Sequence, residues 1–188
     1  ADFLEYFAAD DATRVVLSYL EGVPDGRHFR ASASTLCRDK PLVVLKGGAA
    51  AEGARAAASH TGSLATDDRV FDGIARQAGI VRAPTVEHAF EWAATFATQP
   101  LPRGRRVTIF TSAGGWGVLA ADACAAEGLQ LAPLPDDVRR SIDALVPPRW
   151  SRNNPIDLAG GETRDTIPQV MDLLCAHADI DAVIFLGI

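Results

Sequence analysis

Cysteine, basic charge and long hydrophobic runs are all scarce in this sequence of 188 residues. The three cysteines, Cys37, Cys124 and Cys175, form no C-x-x-C pair and no disulfide framework. Unpaired cysteines are typical of a reducing compartment, so we expect a cytoplasmic location. Every apolar run is shorter than the roughly 20 residues that a membrane helix needs, so we expect no membrane span.

The charge balance argues against further classes of protein. A net charge of −6, from 18 basic and 24 acidic residues, argues against nucleic acid as a partner, because phosphate binding needs a basic face. The acidic N-terminus is atypical of a signal peptide. His28, His88 and His177 are isolated and show no metal-ligand spacing, so we predict no metal site.

The residues that are present indicate a globular α/β protein. Hydrophobic residues make up 48% of the chain, which is enough to bury a core. Short apolar runs alternate with longer amphipathic stretches, which predicts βα units with mostly parallel sheets. The run 42–45 is continuously apolar, as in a strand that is buried on both faces.

Proline and glycine in the segment 99–104 mark a boundary between two units, 1–100 and 101–188. The second unit ends on the apolar run 181–188 with no helix after it to cover a buried strand, so we expect a C-terminal truncation. The predicted elements are helix 2–9, strand 13–20, helix 25–38, strand 41–46, helix 49–58, helix 67–78, strand 80–81, helix 86–97, strand 107–111, helix 118–127, strand 130–132, helix 136–145, helix 164–176 and strand 182–186.

The tetrapeptide Ser-His-Thr-Gly at 59–62 follows an alanine-rich helix. We predict that it forms a turn, in which the imidazole of His60 is exposed and can act as a nucleophile or proton carrier. The alternative is a turn histidine without a chemical role, and the tetrapeptide alone does not decide between the two.

The loop Thr-Ser-Ala-Gly-Gly-Trp-Gly at 111–117 joins a predicted strand to a predicted helix. Its glycines let the backbone approach an anion, and the helix N-terminus adds free N–H groups. The loop matches neither a P-loop nor a dinucleotide fingerprint, so a tight turn without a ligand is equally open. The candidate phosphate-binding residues are Ser112, Gly114, Gly115 and Gly117.

Two carboxylates follow predicted turns or strand ends. Glu21 lies after the first strand, where doubly wound sheets place their sites, and it could fix the tautomer of an imidazole. Asp157 follows the Asn-Asn-Pro turn at 153–155 and could cap or bind. The alternatives are an exposed loop glutamate and ordinary turn chemistry.

Taken together, six segments resemble the NDP-forming acyl-CoA synthetases, the ADP-forming acetate–CoA ligase branch of the succinyl-CoA synthetase superfamily. Each motif is weak alone, but their combination and order are specific and cover nearly the whole chain. The segments are 19–22 (Tyr-Leu-Glu-Gly), 40–48 (Lys-Pro-Leu-Val-Val-Leu-Lys-Gly-Gly), 53–64 (around Ser-His-Thr-Gly), 99–104 (Gln-Pro-Leu-Pro-Arg-Gly), 111–118 (the glycine loop) and 154–158 (Asn-Pro-Ile-Asp-Leu).

The resemblance implies two central flavodoxin-like, three-layer CoA-ligase domains. It implies interconversion of acyl-CoA, NDP and phosphate with acid, CoA and NTP, in the presence of Mg²⁺. By the match of motifs, His60 would carry the phosphoryl group, Glu21 would orient it, and the helix after Gly114, Gly115 and Gly117 would point its N-terminus at the phosphate. CoA and ATP or ADP would be bound mainly by CoA-binding and ATP-grasp domains outside this chain, in cis or on a partner subunit of an oligomer.

The sequence departs from the family pattern in two places. The family loop commonly reads Asn-Ala-Gly-Gly-Pro-Gly, whereas this loop has Ser112 and Trp116. Family members also have a strand and a glycine-rich helix start before the segment that begins at Ala1, so we expect the first unit to be incomplete and the fragment alone to be inactive. Alternative functions are the synthetase-like regulatory region of a protein acetyltransferase and a non-catalytic flavodoxin-like binding module. Retention of His60 favours the enzyme.

Overall fold

The computed structural model describes residues 1–61 and 67–187, with the backbone alone at residues 60 and 61. One compact unit ends at Leu101 and a second begins at Pro102. Each unit contains one three-stranded parallel sheet with helices packed on it, so the predicted α/β class is confirmed. None of the helices in the described ranges is long and apolar enough to cross a bilayer.

The first unit has the strand order β1-β2-β3, and all of its strands are parallel. Its elements are α1 (Asp2–Ala9), β1 (Val16–Leu20), α2 (Gly26–Leu36), β2 (Leu42–Lys46), α3 (Ala51–Thr61), α4 (Asp68–Ala78), β3 (Val81–Ala83) and α5 (Val86–Thr98).

Strand β2 lies at the centre of this sheet and is covered on both faces, as its apolar run predicts. On one face Leu42 and Val44 belong to the core formed with α1, α2 and α4, in which Phe71 is fully buried. On the other face Val43 packs with Ala89 of α5. The unit is therefore a three-layer sandwich whose middle layer is the sheet.

Local capping fixes where the helices of the first unit begin and end. The Asp25 carboxylate accepts hydrogen bonds from two backbone N–H groups at the start of α2, and Asp67 does the same for α4. Gly79 ends α4 in the left-handed conformation, with φ of 78°, which glycine adopts without steric cost. The stop predicted at this glycine is confirmed.

Lys40 fastens α1 to the edge of the sheet where β2 begins. Its ammonium donates to the backbone carbonyl oxygens of Phe7, Ala8 and Asp10 at 2.9, 3.1 and 2.7 Å. These are carbonyls at the C-terminal end of the helix, which have no partner within it and carry partial negative charge. Lys40 thus has a structural role at the edge opposite the C-terminal ends of the strands.

The second unit has the strand order β5-β4-β6, again with parallel pairing. Its elements are β4 (Val107–Thr111), α6 (Gly114–Ala126), α7 (Asp136–Leu145), β5 (Ile156–Asp157), α8 (Thr166–Ala176) and β6 (Ala182–Leu186). All five residues of the central strand β4 are buried. One face of the sheet packs on α7 and α8, and the other packs on α6.

The predicted strand 130–132 was wrong, because only Gln130 forms a bridge, to Arg106. Instead of backbone pairing between β4 and residues 131–132, the side chain of Asn154 bonds to the backbone of both segments. Its amide donates to the carbonyl oxygens of Val107 and Ala132 at 2.7 and 3.0 Å, and its oxygen accepts from the N–H of Ile109 at 3.0 Å. The Asn-Pro turn is therefore built into the sheet, and it leads into the short strand β5.

An ion pair joins the start of β4 to the start of β6. The Asp181 carboxylate accepts from the backbone N–H, Nε and Nη2 of Arg106 at 2.9, 3.0 and 2.9 Å. This carboxylate is only 6% exposed. The hydrogen bonds from Arg106 hold the pKa of Asp181 at about 2, well below its ordinary 3.8. The ion pair thus lies where β4 and β6 begin their pairing, next to Val107 and Ala182.

Substitution of Asp181 by Asn should lower the free energy of unfolding at neutral pH, because it removes a buried charge partner of Arg106. The folded pKa lies below the unfolded pKa, so the stabilisation by Asp181 is complete above pH 3.8 and is lost as the pH falls towards 2. Urea unfolding of wild type and variant between pH 7 and pH 3 measures this difference.

The control is Asp179→Asn. Asp179 pairs with the same arginine at 3.0 Å but is 69% exposed, so the loss of its charge should change the free energy of unfolding little. Equal losses in the two variants would contradict the assignment.

Candidate functional site

In the first unit, strands β1 and β2 end side by side. Leu20 is paired with Lys46, and the N–H of Gly47 donates to the Leu20 carbonyl oxygen at 2.8 Å. Glu21 follows directly, at the C-terminal edge of the parallel sheet, where the predicted site was placed. The pairing therefore brings the residues that follow both strands to the same edge.

Glu21 has one satisfied and one unsatisfied carboxylate oxygen. The Tyr19 hydroxyl donates to Oε1 at 3.0 Å, and this bond is the main cause of the raised pKa of Tyr19. Oε2 is buried and accepts no hydrogen bond from any described residue. Because a buried carboxylate oxygen without a donor is costly, Glu21 is suited to accept a hydrogen bond from a further group.

Lys46 lies at the same edge and was not singled out from the sequence. It is 7% exposed, its ammonium donates to the Gly47 carbonyl oxygen, and Nζ lies 5.9 Å from the centre of the Phe71 ring. Burial lowers the pKa of Lys46, and this effect is partly opposed by the charges of Asp68 and Glu21. A single lysine at the end of an apolar strand, just before two glycines, was the signal in the sequence.

The backbone of His60 lies in the last turn of α3, so the prediction of a turn at this residue was wrong. Helix α3 extends to Thr61 instead of ending at 58, because helix-favouring alanines continue to the motif. The side chain of His60 and residue Gly62 lie outside the described part of the structure. At its other end α3 starts close to the sheet edge, since a Cβ added at Gly53 would lie 3.4 Å from the Cα of Gly48.

In the second unit, the glycine loop leads directly into α6. The helix begins at Gly114, four residues earlier than predicted, and its first turn contains no acidic residue. The Thr111 hydroxyl accepts from the N–H of Ala113 at 2.9 Å and donates to the Leu186 carbonyl oxygen at 3.1 Å. Among the described groups, none accepts from the N–H of Gly114 or Gly115. These two donors, at the positive end of the helix dipole, can face an anion.

Asp157 lies against this helix N-terminus. Its Oδ1 accepts from the N–H of Ala159 at 2.9 Å, and its Oδ2 is so close to Gly114 that a Cβ at this position would overlap with it. An anion bound at Gly114 and Gly115 would therefore have a carboxylate as a neighbour. The two hypotheses for Asp157 were a capping or binding role and ordinary turn chemistry. The structure shows the second, a hydrogen bond from the Ala159 N–H within the turn, next to the candidate site.

The glycines of the loop differ in what surrounds them. A Cβ at Gly117 would lie 3.2 Å from Thr111 Cγ2 and 3.3 Å from Pro155 Cβ, so this glycine allows α6 to pack on β4. Nothing lies within 4 Å of a Cβ at Gly115, which is exposed. Trp116 beside it is 59% exposed. Gly115 is thus the position in the loop where packing within the described chain does not require glycine.

Two family models match the chain in sequence. The succinyl-CoA ligase-like flavodoxin domain matches residues 1–96, and the ligase-CoA domain matches residues 107–187. The chain belongs to the succinyl-CoA ligase-like family. The resemblance to the central domains of NDP-forming acyl-CoA synthetases, stated from the motifs, is thereby confirmed.

Similar proteins include ADP-forming CoA ligases from archaea. The chain is 44% identical over 160 residues to the alpha subunit of acetate–CoA ligase (ADP-forming) I of Pyrococcus furiosus, covering 85% of this chain and 34% of that subunit. It is 35% identical over 185 residues to 4-hydroxybutyrate–CoA ligase (ADP-forming) of Nitrosopumilus maritimus, covering 97% of this chain and 26% of that enzyme.

A solved structure has the same fold over 99% of this chain. It is an acetyl-coenzyme A synthetase of Candidatus Korarchaeum cryptofilum in complex with phosphate and ADP, with a TM-score of 0.91 and 38% sequence identity. This chain covers 40% of that protein. The chain thus spans between a quarter and two fifths of the length of these members of the family.

Substitution of Gly114 by Ala should destabilise the second unit, since the added Cβ would overlap with the Asp157 carboxylate. Gly115→Ala, the matched control, should leave the thermal midpoint unchanged or raise it slightly, because its Cβ meets open space and alanine favours a helix more than glycine does. Differential scanning fluorimetry of the two variants measures the contrast. Equal midpoints for both would contradict the packing described here.

Proposed function

We propose that this chain is the central part of an NDP-forming acyl-CoA synthetase, in which a phosphoryl group passes through His60. The observation that supports this most is Glu21, which lies at the sheet edge with an unsatisfied buried oxygen, in a family of CoA ligases. We assign the phosphohistidine-bearing domain to residues 1–100 and the glycine-loop domain to residues 101–188.

In the proposed reaction, phosphate attacks the acyl-CoA carbonyl carbon, the C–S bond breaks, and acyl phosphate and CoA form. An imidazole nitrogen of His60 then attacks the phosphorus, and the carboxylic acid leaves with the electron pair of the P–O bond. NDP finally takes the phosphoryl group from the histidine to give NTP. A histidine suits this relay because its neutral imidazole is nucleophilic near neutral pH and forms a labile N–P bond.

Glu21 would act on the other nitrogen of the imidazole. An N–H donated to a carboxylate fixes the tautomer, so that the free nitrogen carries the lone pair that attacks phosphorus. The unsatisfied Oε2 is the acceptor that this role requires, and the Tyr19 hydroxyl holds Oε1 in place. The pair Tyr19–Glu21 therefore supports an oriented imidazole.

The N-terminus of α6 would bind an anionic phosphate group. The N–H groups of Gly114 and Gly115 and the helix dipole favour an anion, typically by about 0.3–1 kcal/mol at an exposed site. Asp157 beside Gly114 would reduce this attraction. Ser112 precedes the helix and would add a hydroxyl donor.

The remaining components lie mainly outside this chain in the proposal. CoA and ATP or ADP would be bound by CoA-binding and ATP-grasp domains, in cis or on a partner subunit of a cytoplasmic oligomer. Mg²⁺ would accompany the nucleotide. The described residues contain no cluster of three or more His, Cys, Asp or Glu side chains that could hold a metal ion.

His60→Ala in the full-length protein should abolish the acid-labile phosphate that forms on incubation with radiolabelled NTP or acyl phosphate. His88→Ala is the matched control, because His88 is an exposed histidine near the start of α5 and should keep full labelling. Acid-labile and alkali-stable counts, measured after rapid denaturation, report the phosphohistidine. Unchanged labelling of the His60→Ala protein would overturn the proposal.

Glu21→Gln should reduce the rate of phosphoenzyme formation by about 10- to 100-fold, as is typical when the group that orients a histidine is removed. Quenched-flow labelling measures this rate. Tyr19→Phe removes the donor to Oε1 but keeps the carboxylate, so it should reduce this rate less than Glu21→Gln does. A Glu21→Gln protein with wild-type rate would show that Glu21 does not orient the imidazole.

A further inference from the structure

Lys46 is a buried cation for which the described chain supplies no directly bound counter-ion. No carboxylate of the described side chains lies within 4.0 Å of its nitrogen, although the residue is only 7% exposed. Its described partners are the Gly47 carbonyl oxygen and the Phe71 ring. Buried charges are usually paired, because desolvation of an isolated ammonium is costly.

The acidic groups near Lys46 are engaged with other partners. The Asp68 carboxylate accepts from Arg82 Nη2 at 2.6 Å, and Asp72 lies 3.5 Å from Nη1 of the same arginine. Glu21 binds the Tyr19 hydroxyl through Oε1 and leaves Oε2 without a donor. Lys46 and Glu21 therefore lie at one sheet edge as an under-paired cation and an under-paired anion that do not bind each other.

This arrangement fits a ligand that bears both a donor and an anionic group. A phosphorylated imidazole has both, since its ring N–H can donate to a carboxylate and its phosphoryl oxygens accept from an ammonium. Lysine has three N–H donors, and the Gly47 carbonyl oxygen accounts for one. The other N–H groups can bind phosphate oxygens.

We propose that Lys46 binds the oxyanion of phosphate at the edge of the first unit, next to Glu21. The inference rests on the proposed function. It adds to that function a cation that binds the phosphoryl group during its transfer. The phosphate is either inorganic phosphate or the phosphoryl group on His60, and these have the same chemistry. A single ammonium near the negative charges of Glu21 and Asp68 binds this anion less tightly than the two parallel donors of an arginine do. The phosphoryl group can therefore be transferred to the next acceptor.

The protein offers an internal comparison, because Lys40 and Lys46 are the only lysines in the chain. Lys40 donates to three carbonyl oxygens at the end of α1, at the other end of the same strand. Removal of the Lys40 ammonium should lower the stability of the protein without changing the binding of phosphate. Lys40→Met is therefore the matched control for Lys46→Met.

The first test uses steady-state kinetics of the full-length enzyme with inorganic phosphate as the varied substrate. Lys46→Met should raise the KM for phosphate by about tenfold or more, as expected for loss of one charge-assisted hydrogen bond, with the KM for acyl-CoA unchanged. Lys46→Arg, which keeps the charge, should recover part of the loss. Lys40→Met should keep the wild-type KM for phosphate. A wild-type KM for phosphate in a folded Lys46→Met enzyme would overturn the proposal.

A second test begins with the wild-type protein, so that its first comparison does not depend on the folding of a variant. Trace acetylation with isotopic acetic anhydride, followed by peptide mass spectrometry, reports the reactivity of Lys46 relative to Lys40. Inorganic phosphate at about ten times its Kd should slow acetylation of Lys46 by about tenfold and leave Lys40 unchanged. If the phosphoryl group on His60 is the ligand, protection should instead follow treatment with NTP and be absent from His60→Ala.

These outcomes separate the inference from the proposed function. If His60→Ala abolishes labelling while neither phosphate nor NTP protects Lys46, the relay stands and the role of Lys46 is wrong. If His60→Ala keeps its label, the relay itself is wrong, whatever Lys46 does. Protection by inorganic phosphate that persists in His60→Ala identifies free phosphate as the ligand.

Discussion

The parallel pairing of β1 with β2 is the constraint on which the candidate site of the first unit depends. Leu20 lies opposite Lys46, and the backbone bond from Gly47 to Leu20 continues the ladder past the ends of both strands. Because side chains alternate across a strand, a shift of one residue would move Lys46 to the other face. The burial of Val44 and Leu42 on the same face as Lys46 holds this register, so the hydrophobic core also positions the charged groups.

Parallel strand pairing also fixes the position of the glycine loop in the second unit. Thr111 ends the central strand and pairs with Asp157 on one side and Leu186 on the other. Its hydroxyl bonds to the N–H of Ala113 and thereby fixes the step from strand to helix. Since Asp157 ends its strand at the same level, its carboxylate lies beside the first residue of α6. Glycine at 114 is needed because two elements converge there, before any ligand is considered.

Much of this arrangement can be predicted from the sequence, because apolar runs and caps act locally. The apolar run 42–45 and the stop at Gly79 each determine an element through their own neighbours. The short strand β5 and the role of Asn154 could not be predicted, since they depend on hydrogen bonds between segments about 45 residues apart, such as Ile109 to Asn154. Glycines also misled the prediction for the start of α6, because at 114 and 117 they serve close packing within a helix. Lys46 was missed because a charged residue at a strand end is ordinarily solvated, and only its burial distinguishes it.

Both candidate sites combine groups that attract an anion with a carboxylate that repels it. In the first unit Lys46 lies near Glu21, and in the second the N-terminus of α6 lies beside Asp157. A site that only binds phosphate tightly would gain nothing for a relay, because binding the starting and transition states equally well leaves the barrier unchanged. A neighbouring carboxylate lowers the affinity for the resting anion and can accept the N–H of an oriented imidazole. In the proposed function, the mixed charge of each edge therefore fits transient handling of a phosphoryl group better than its storage, even in a chain with a net charge of −6.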